Sequence, residues 1–233
     1  MNLGILLCDK VSEVFVENHG QYPVMFANLL LPVDPTLEFT VFDVEHGDLP
    51  TDMHDVDAYL ISGSRHGVND NFPWITRLED FVRTLHIAQK KLIGICFGHQ
   101  LIAKALGGKV VKSPKGWGVG MSQNQIFQLK EWMNPSLNEF NLLVSHQDQV
   151  VELPKGAEIL AGSDFCPNYM MQIGSFFSVQ GHPEFTKSYS RDLMISREDN
   201  VSEAEFAKGI KSLELHGDDT IIAQWIINFL KGA

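Results

Sequence analysis

Between Leu92 and Leu106 an apolar run changes into helical spacing at one cysteine, and a glycine stands two residues to either side of it. The segment reads Lys91-Leu-Ile-Gly-Ile-Cys96-Phe-Gly-His-Gln100-Leu-Ile-Ala-Lys-Ala-Leu-Gly-Gly108. Residues up to Cys96 have the apolarity and length of a buried parallel strand, whereas Leu101, Ile102, Ala105 and Leu106 recur at the steps of one helix face. Cys96 therefore falls on a strand-to-helix turn. Gly94 and Gly98 supply the absent side chains that let such a turn be sharp and hold a nucleophile in a strained conformation. That geometry suits acyl transfer. The positive end of the following helix faces the thiol, and the Phe97 amide points toward a developing oxyanion. A lone cysteine reads most simply as a small buried hydrophobe. The glycine bracket at a strand-to-helix turn argues for the chemical role instead.

The surrounding pattern is that of an α/β fold with a mainly parallel central sheet flanked by helices. Strands are predicted at Leu3–Leu7, Leu37–Val44, Ala58–Ile61 and Leu92–Ile95. Between the last two, Trp74, Ile75, Leu78, Phe81, Val82 and Leu85 mark the buried face of a helix, which makes a βαβ unit. From Lys109 to about Gln180 the pattern shifts to short strands broken by Gly, Pro, Asn and Asp: Lys109–Val111, Gln125–Leu129, Asn141–Val144, Glu158–Gly162, Met170–Ile173 and Phe176–Val179. These should add antiparallel strands to the same sheet. Asp218 and Asp219 are placed to cap a closing helix whose core stripe is Ile221, Ile222, Trp225, Ile226, Phe229 and Leu230. The acidic stretch Glu198–Glu205 reads as a solvated helix face. No repeat or linker divides the chain, so residues 1–233 are expected to form one domain.

Apolar residues make up 44% of the 233 and charged residues 20%, enough for a sizeable core. A net charge of −11 repels phosphate backbones and argues against nucleic-acid binding. The three cysteines, Cys8, Cys96 and Cys166, are odd in number and widely spaced, a pattern of a reducing compartment rather than a disulfide framework or zinc ribbon. With neither a basic leader nor an apolar run near 18 residues, no membrane association is expected and the location is read as cytoplasmic.

An acylated cysteine needs a base for its proton and an acid for the leaving amine, a pair of tasks usually given to histidine. Of nine histidines, His182 is the strongest candidate, in Phe176-Phe-Ser-Val-Gln-Gly-His182-Pro-Glu184-Phe185 at the end of an apolar strand. Residues two apart in extended chain share a face, so Glu184 can orient His182 and stabilise its charged form. His146 is the rival base. His99, on the helix after the cysteine, reads as structural.

Gly94-Ile-Cys96-Phe-Gly98-His99-Gln100 together with Gly181-His182-Pro183-Glu184 resembles the class I glutamine amidotransferases. Ser145-His146-Gln147-Asp148-Gln149-Val150 is similar to the family's Ser-His-x-Asp-x-Val segment, and Gly116-Trp117-Gly118-Val119-Gly120 to its Gly-Trp-x-x-Gly segment. The resemblance spans about residues 58 to 185 in the family's order. It implies a flavodoxin-like sheet with added antiparallel strands, Cys96 as nucleophile, His182 as general base and Glu184 as third triad member. Gln100 and the stretch Gln147, Asp148 and Gln149 would hold the glutamyl group. No cofactor or metal is implied.

The chain departs from the family after its third strand. Many members that serve a synthase carry Gly-Gly-Pro, whereas this chain reads Ile61-Ser62-Gly63-Ser64-Arg65-His66-Gly67. Gly63 and Ser64 are expected to lend a backbone donor to the oxyanion hole and a substrate contact, and Arg65 and His66 stand where an anionic group could be met. This variant resembles stand-alone members, γ-glutamyl peptidases among them. Hydrolysis of glutamine with release of ammonia, its transfer to a separate synthase subunit, and cleavage of γ-glutamyl peptides share one thioester chemistry. The first is the leading reading of the sequence and the peptidase its alternative. A non-catalytic glutamine-binding regulatory module is the rival of another class, and the stress-response proteins with a similar cysteine elbow are a third; the Phe97 that follows the cysteine and the His-Pro-Glu element argue against the last. A glutamine-analogue electrophile should label Cys96 alone, read by peptide mass mapping; labelling at Cys8 or Cys166 instead would defeat the assignment.

Overall fold

The computed structural model describes residues 1–232. Its strands are β1 (Asn2–Leu7), β2 (Glu38–Asp43), β3 (Ala58–Ile61), β4 (Leu92–Ile95), β5 (Lys109–Lys112), β6 (Gly118–Ile126), β7 (Glu139–His146), β8 (Asp148–Glu152), β9 (Glu158–Gly162), β10 (Met170–Ile173) and β11 (Phe176–Val179). The helices are α1 (Glu13–His19), α2 (Tyr22–Leu30), α3 (Pro73–Ile87), α4 (Phe97–Ala105), α5 (Lys187–Ser196), α6 (Glu203–Ser212) and α7 (Asp219–Lys231). Nine strands form one sheet in the order β2-β1-β3-β4-β11-β10-β9-β6-β7. The first five are parallel and the rest antiparallel to their neighbours. β3 and β4 are buried at every position, as parallel strands covered on both faces must be.

Alternation along β1 assigns the two layers. Leu3, Ile5 and Leu7 face the core built with Phe26, Leu30, Trp225 and Phe229 of α2 and α7, while Leu6 faces that of Trp74, Leu78 and Val82 of α3 and Ile102 of α4. The helical stripe expected on α3 is buried at Trp74, Ile75, Leu78, Val82 and Leu85. Pro73 starts this helix, where its missing N–H costs nothing.

Register brings distant residues to one edge. Ile95 pairs with Val179 across β4 and β11, Ile61 with Gly94 across β3 and β4, and Leu6 with Ile61 across β1 and β3. Cys8, Gly63, Cys96 and Gln180 therefore emerge together at the carboxyl ends of four adjacent parallel strands, where open α/β sheets hold their ligands. The antiparallel half curls round to meet them: His182 donates its N–H to Leu143 O of β7 at 2.8 Å.

Several expectations are corrected. The strand expected at Gln125–Leu129 is β6, which begins at Gly118 and ends at Ile126. Phe127 and Leu129, which carried the apolar signal, are exposed, while the polar Asn124 is buried within the strand. β5 joins β8 in a separate two-stranded sheet, and β11 is parallel to β4. Asp218 does not cap α7 with its side chain; its Oδ2 accepts the Asn141 N–H at 2.8 Å and its own N–H returns to Asn141 O, tying the helix start to β7. Nor is Glu198–Glu205 merely a solvated face. Ser202 and Glu205 form a capping box at the start of α6, and Glu205 Oε1 also accepts the Trp117 N–H at 2.9 Å.

The elbow glycines are required by close approach. A Cβ on Gly98 would lie 2.6 Å from Ile61 O, whereas one on Gly107, at φ +92°, would meet nothing. Gly98→Ala should therefore cost about 3 kcal/mol, the upper end of overpacking, and slow alkylation of Cys96 as the elbow shifts. Gly107→Ala should cost about 1 kcal/mol from its left-handed backbone and leave alkylation unchanged. Urea unfolding and iodoacetamide labelling of the two variants check this.

Candidate active site

Cys96 has φ 51° and ψ −98°, left-handed backbone in a residue that bears a side chain. Such strain costs about 1–3 kcal/mol and persists only where the surroundings over-determine it. Here they do. Cys96 N–H donates to Val179 O at 2.9 Å and Cys96 O accepts from Gln100 N at 3.1 Å, while Gly94 and Gly98 admit Ile102 and the β3 backbone at distances no Cβ would allow. Phe97 opens α4, so its N–H belongs to the helix's unpaired first turn. Its ring is buried against Trp74, with centroids 5.5 Å apart.

The charge of the Cys96 sulfur acts on the His182 ring, and His182 Nδ1–H donates to Glu184 Oε1 at 2.7 Å. All three residues are at most 5% exposed. The imidazole is also stacked flat on Phe185, with centroids 3.9 Å apart at 10°, and its Cε1 faces Gly63, where a Cβ would come within 2.7 Å. Burial alone would lower the basicity of His182; the negative charge of Glu184, then that of the Cys96 sulfur, outweighs it and raises its pKa. The surroundings thus favour the protonated imidazole. On its other side His182 borders a cleft of about 150 Å³ with Leu143 and Met121.

The other two histidines of the sequence reading are buried and neutral. His99 Nε2–H donates to Asn168 O and its Nδ1 accepts from the Ser178 hydroxyl, each at 2.9 Å, so it ties the β9–β10 loop to β11. Burial pushes it down to about 3. His146 Nδ1–H donates to Asp148 O at 3.1 Å, and burial pushes that ring down to about 4.

The loop after β3 is braced by side chains. Ser62 Oγ accepts Cys8 N–H and donates to Gly63 O, both at 2.9 Å, and Ser64 Oγ donates to Cys8 O at 2.9 Å. Arg65 gives its backbone N–H to Asp9 Oδ2 and its Nε–H to Oδ1, each at 2.8 Å. Ser64 and Arg65, read from sequence as substrate contacts, thus have partners in the segment after β1, and His66 Nε2 meets Glu45 at 3.3 Å. Gln147 O accepts the Ser113 N–H at 3.0 Å, and Asp148 and Gln149 belong to β8. Burial, with the Asp70 charge adding to it, raises the Asp148 carboxyl. Gln149 Nε2 is buried with no partner among the described residues.

Gln100 Nε2 donates to Asp148 O at 2.8 Å and to Gln180 Oε1 at 3.1 Å, and Gln180 Nε2 donates to Cys96 Sγ at 3.5 Å. Sequence reasoning passed over Gln180 and Phe185. A period of two would have placed Gln180 on the face of His182 and Glu184; the stacking of Phe185 has no sequence signal. Among the described residues no group of three or more His, Cys, Asp or Glu is placed to hold a metal, and no helix is long and apolar enough to cross a membrane.

Residues 14–199 match the family model described as glutamine amidotransferase class-I. Gamma-glutamyl peptidase 3 of Arabidopsis thaliana is 34% identical over 99% of this chain and 96% of its own. One component of the glutamine-hydrolysing GMP synthase of Sulfurisphaera tokodaii is 35% identical over 57% of this chain and 69% of its own. The crystal structure of a glutamine amidotransferase from Thermotoga maritima superposes with a TM-score of 0.75 at 16% identity, covering 98% of this chain and 96% of that one. One from Methylobacillus flagellatus does so with 0.75 at 21%, covering 100% and 94%.

The buried histidines set the pH dependence of stability. Below about 6.5, where a free imidazole titrates, the unfolded chain takes up protons that folded His99 and His146 refuse, so stability is lost as pH falls toward their values of about 3 and about 4. His182 has the opposite sign: its contribution is complete below the unfolded value and is lost as pH rises through its raised folded one. Urea midpoints across pH should show both limbs, the acid limb shallower in His146→Gln and the alkaline limb shallower in His182→Gln.

Proposed function

The chain belongs to the class I glutamine amidotransferase family, and from that premise we propose that it hydrolyses a γ-glutamyl amide through a thioester on Cys96, with His182 as acid and base and Glu184 holding it. The observation that carries this reading is the strained Cys96 elbow beside the buried His182 imidazole, whose Nδ1 is held by Glu184 at 2.7 Å. In the reaction His182 holds the proton drawn from the thiol while the sulfur attacks the γ-carbonyl carbon. The resulting oxyanion is met by the Phe97 N–H and the backbone at Gly63, donors of a kind each worth about 10²–10³ in rate. Collapse of the intermediate breaks the C–N bond as His182 returns the proton to the leaving amine. Water, deprotonated by His182, then attacks the thioester and frees a γ-glutamyl acid and the thiol. Gln100, Ser64 and Gln147–Gln149 belong in this reading to the wall that receives the glutamyl group, through backbone atoms where their side chains are engaged.

The leaving group is proposed to be the amine of an amino acid or peptide. The similarity to gamma-glutamyl peptidase 3 runs the whole length of both chains, whereas that to the synthase component covers little more than half of this one. Ammonia released from glutamine and passed to a separate synthase subunit is the second reading, favoured by that partial similarity.

Amino-acid release from γ-glutamyl dipeptides and glutathione should proceed with a higher kcat/KM than ammonia release from glutamine; the reverse order would support the second reading, and no turnover of any of them would refute both. Cys96→Ala should abolish turnover with the thermal melt unchanged. His182→Ala should lower kcat by about 10²–10⁴, the usual contribution of a positioned acid–base. Glu184→Gln should cost less, because the stacked Phe185 still holds the ring and the His182 main-chain N–H stays bonded to Leu143 O.

A further inference from the structure

The amide of Gln180 has its direction fixed from a distance. Asp148 O is a backbone carbonyl and accepts only, so Gln100 must turn its amino group toward it. The same amino group reaches the next side chain at 3.1 Å, where only an acceptor fits, so Gln180 presents its carbonyl oxygen there. What remains for Cys96 is the amino group of Gln180, 3.5 Å from Sγ. The Gln100 amino group donates both to the main-chain carbonyl in β8 and to Gln180, and Gln180 in turn donates to the sulfur. Gln180 is fully buried and Gln100 is 4% exposed, so water does not compete for these contacts.

A donor aimed at sulfur is a weak partner for a thiol and a strong one for a thiolate, as hydrogen bonds to ionised groups are about twice as strong as those between neutral ones. Gln180 donates to the sulfur from just beyond β11, which restricts the freedom of the Cys96 side chain to swing off the line of attack. Resting on the reading of Cys96 as nucleophile, we propose that Gln180 is a further catalytic residue, whose amide N–H holds the Cys96 sulfur in its attacking position and charge state, and that Gln100 is the positioning residue that sets the direction of that amide. Once the C–S bond forms, the thioester sulfur is a poorer acceptor and the grip on it loosens, so the contact favours the reacting nucleophile over the acyl enzyme.

The test uses alkylation of Cys96 by iodoacetamide at fixed pH in the full-length protein, followed by peptide mass mapping. Gln180→Met keeps the volume and removes the donor. With an unchanged thermal melt, its alkylation should slow by about tenfold to a hundredfold, the worth of a hydrogen bond to a charged group. Turnover of a γ-glutamyl substrate should lose kcat by a similar factor with KM little changed. Gln100→Met frees the Gln180 amide to flip and should slow alkylation by a smaller factor. A folded Gln180→Met alkylated at the wild-type rate would overturn the proposal, as would wild-type alkylation of Gln100→Met if Gln180→Met does not fold. A role in packing alone would lower the melt and leave the alkylation rate of the folded fraction untouched. Because alkylation needs no γ-glutamyl substrate, a chain inactive on every such substrate would still pass or fail this test.

Discussion

The contact of Gly98 with Ile61 O is the constraint on which the site depends. It sets how closely the first turn of α4 lies against β3, and so obliges the chain to leave β4 through the left-handed backbone of Cys96. The strain is not stored for its own sake. It lifts the sulfur out of the strand direction to a point level with Gly63 and Gln180, whose positions follow from the register of β3 and β11 against β4. A one-residue slip between β4 and β11 would turn Gln180 and His182 to the opposite face of the sheet. Burial of Ile93, Ile95, Phe177 and Val179 on matching faces makes such a slip costly. The core thereby enforces the alignment of Cys96 with Gln180 and His182.

The second support comes from the antiparallel half. β11 ends at Val179, and without a partner the stretch that carries His182 would be a free loop. Leu143 O of β7 accepts its N–H, and Tyr169 stands so close to Gly181 that any side chain there would collide. β7 is in turn held by Asp218 at the head of α7. The added strands are therefore the wall that fixes His182 relative to Cys96, and the Asp218 carboxylate expected as a helix cap is used on one of them.

How much of this was legible follows the physics of each element. The parallel strands and α3 were readable because burial on both faces, or on one helical face, writes a period directly into apolar residues. The elbow was readable because glycine spacing reports backbone proximity. β6 was misplaced because its buried face carries Gly118, Gly120 and Asn124, small or polar residues that pattern reasoning assigns to loops; Gly120 at φ +77° lies against Gly209 of α6, a close approach that hydrophobicity does not register. β8 was passed over because Asp148 and Gln149 read as ligands rather than as a strand. The pairing of Glu205 with Trp117 joins residues 88 positions apart, and no local signal announces it.

The departure after β3 shows how one geometric need is met by different chemistry. Gly-Gly-Pro would stiffen that turn through a fixed φ. Here stiffness comes from hydrogen bonds: two serine hydroxyls exchange donors and acceptors with the backbone around Cys8, and Asp9, 5% exposed, accepts from both the main chain and the guanidinium of Arg65. The Arg65 side chain is 56% exposed, so the ion pair as a charge pair adds little to stability. Its value is directional, since a planar fork and a backbone N–H meeting one carboxylate admit a single loop conformation. That conformation sets Gly63 against Cε1 of the His182 ring, where only a residue without a Cβ fits. A residue larger than glycine at 63 would therefore displace both this turn and the His182 ring.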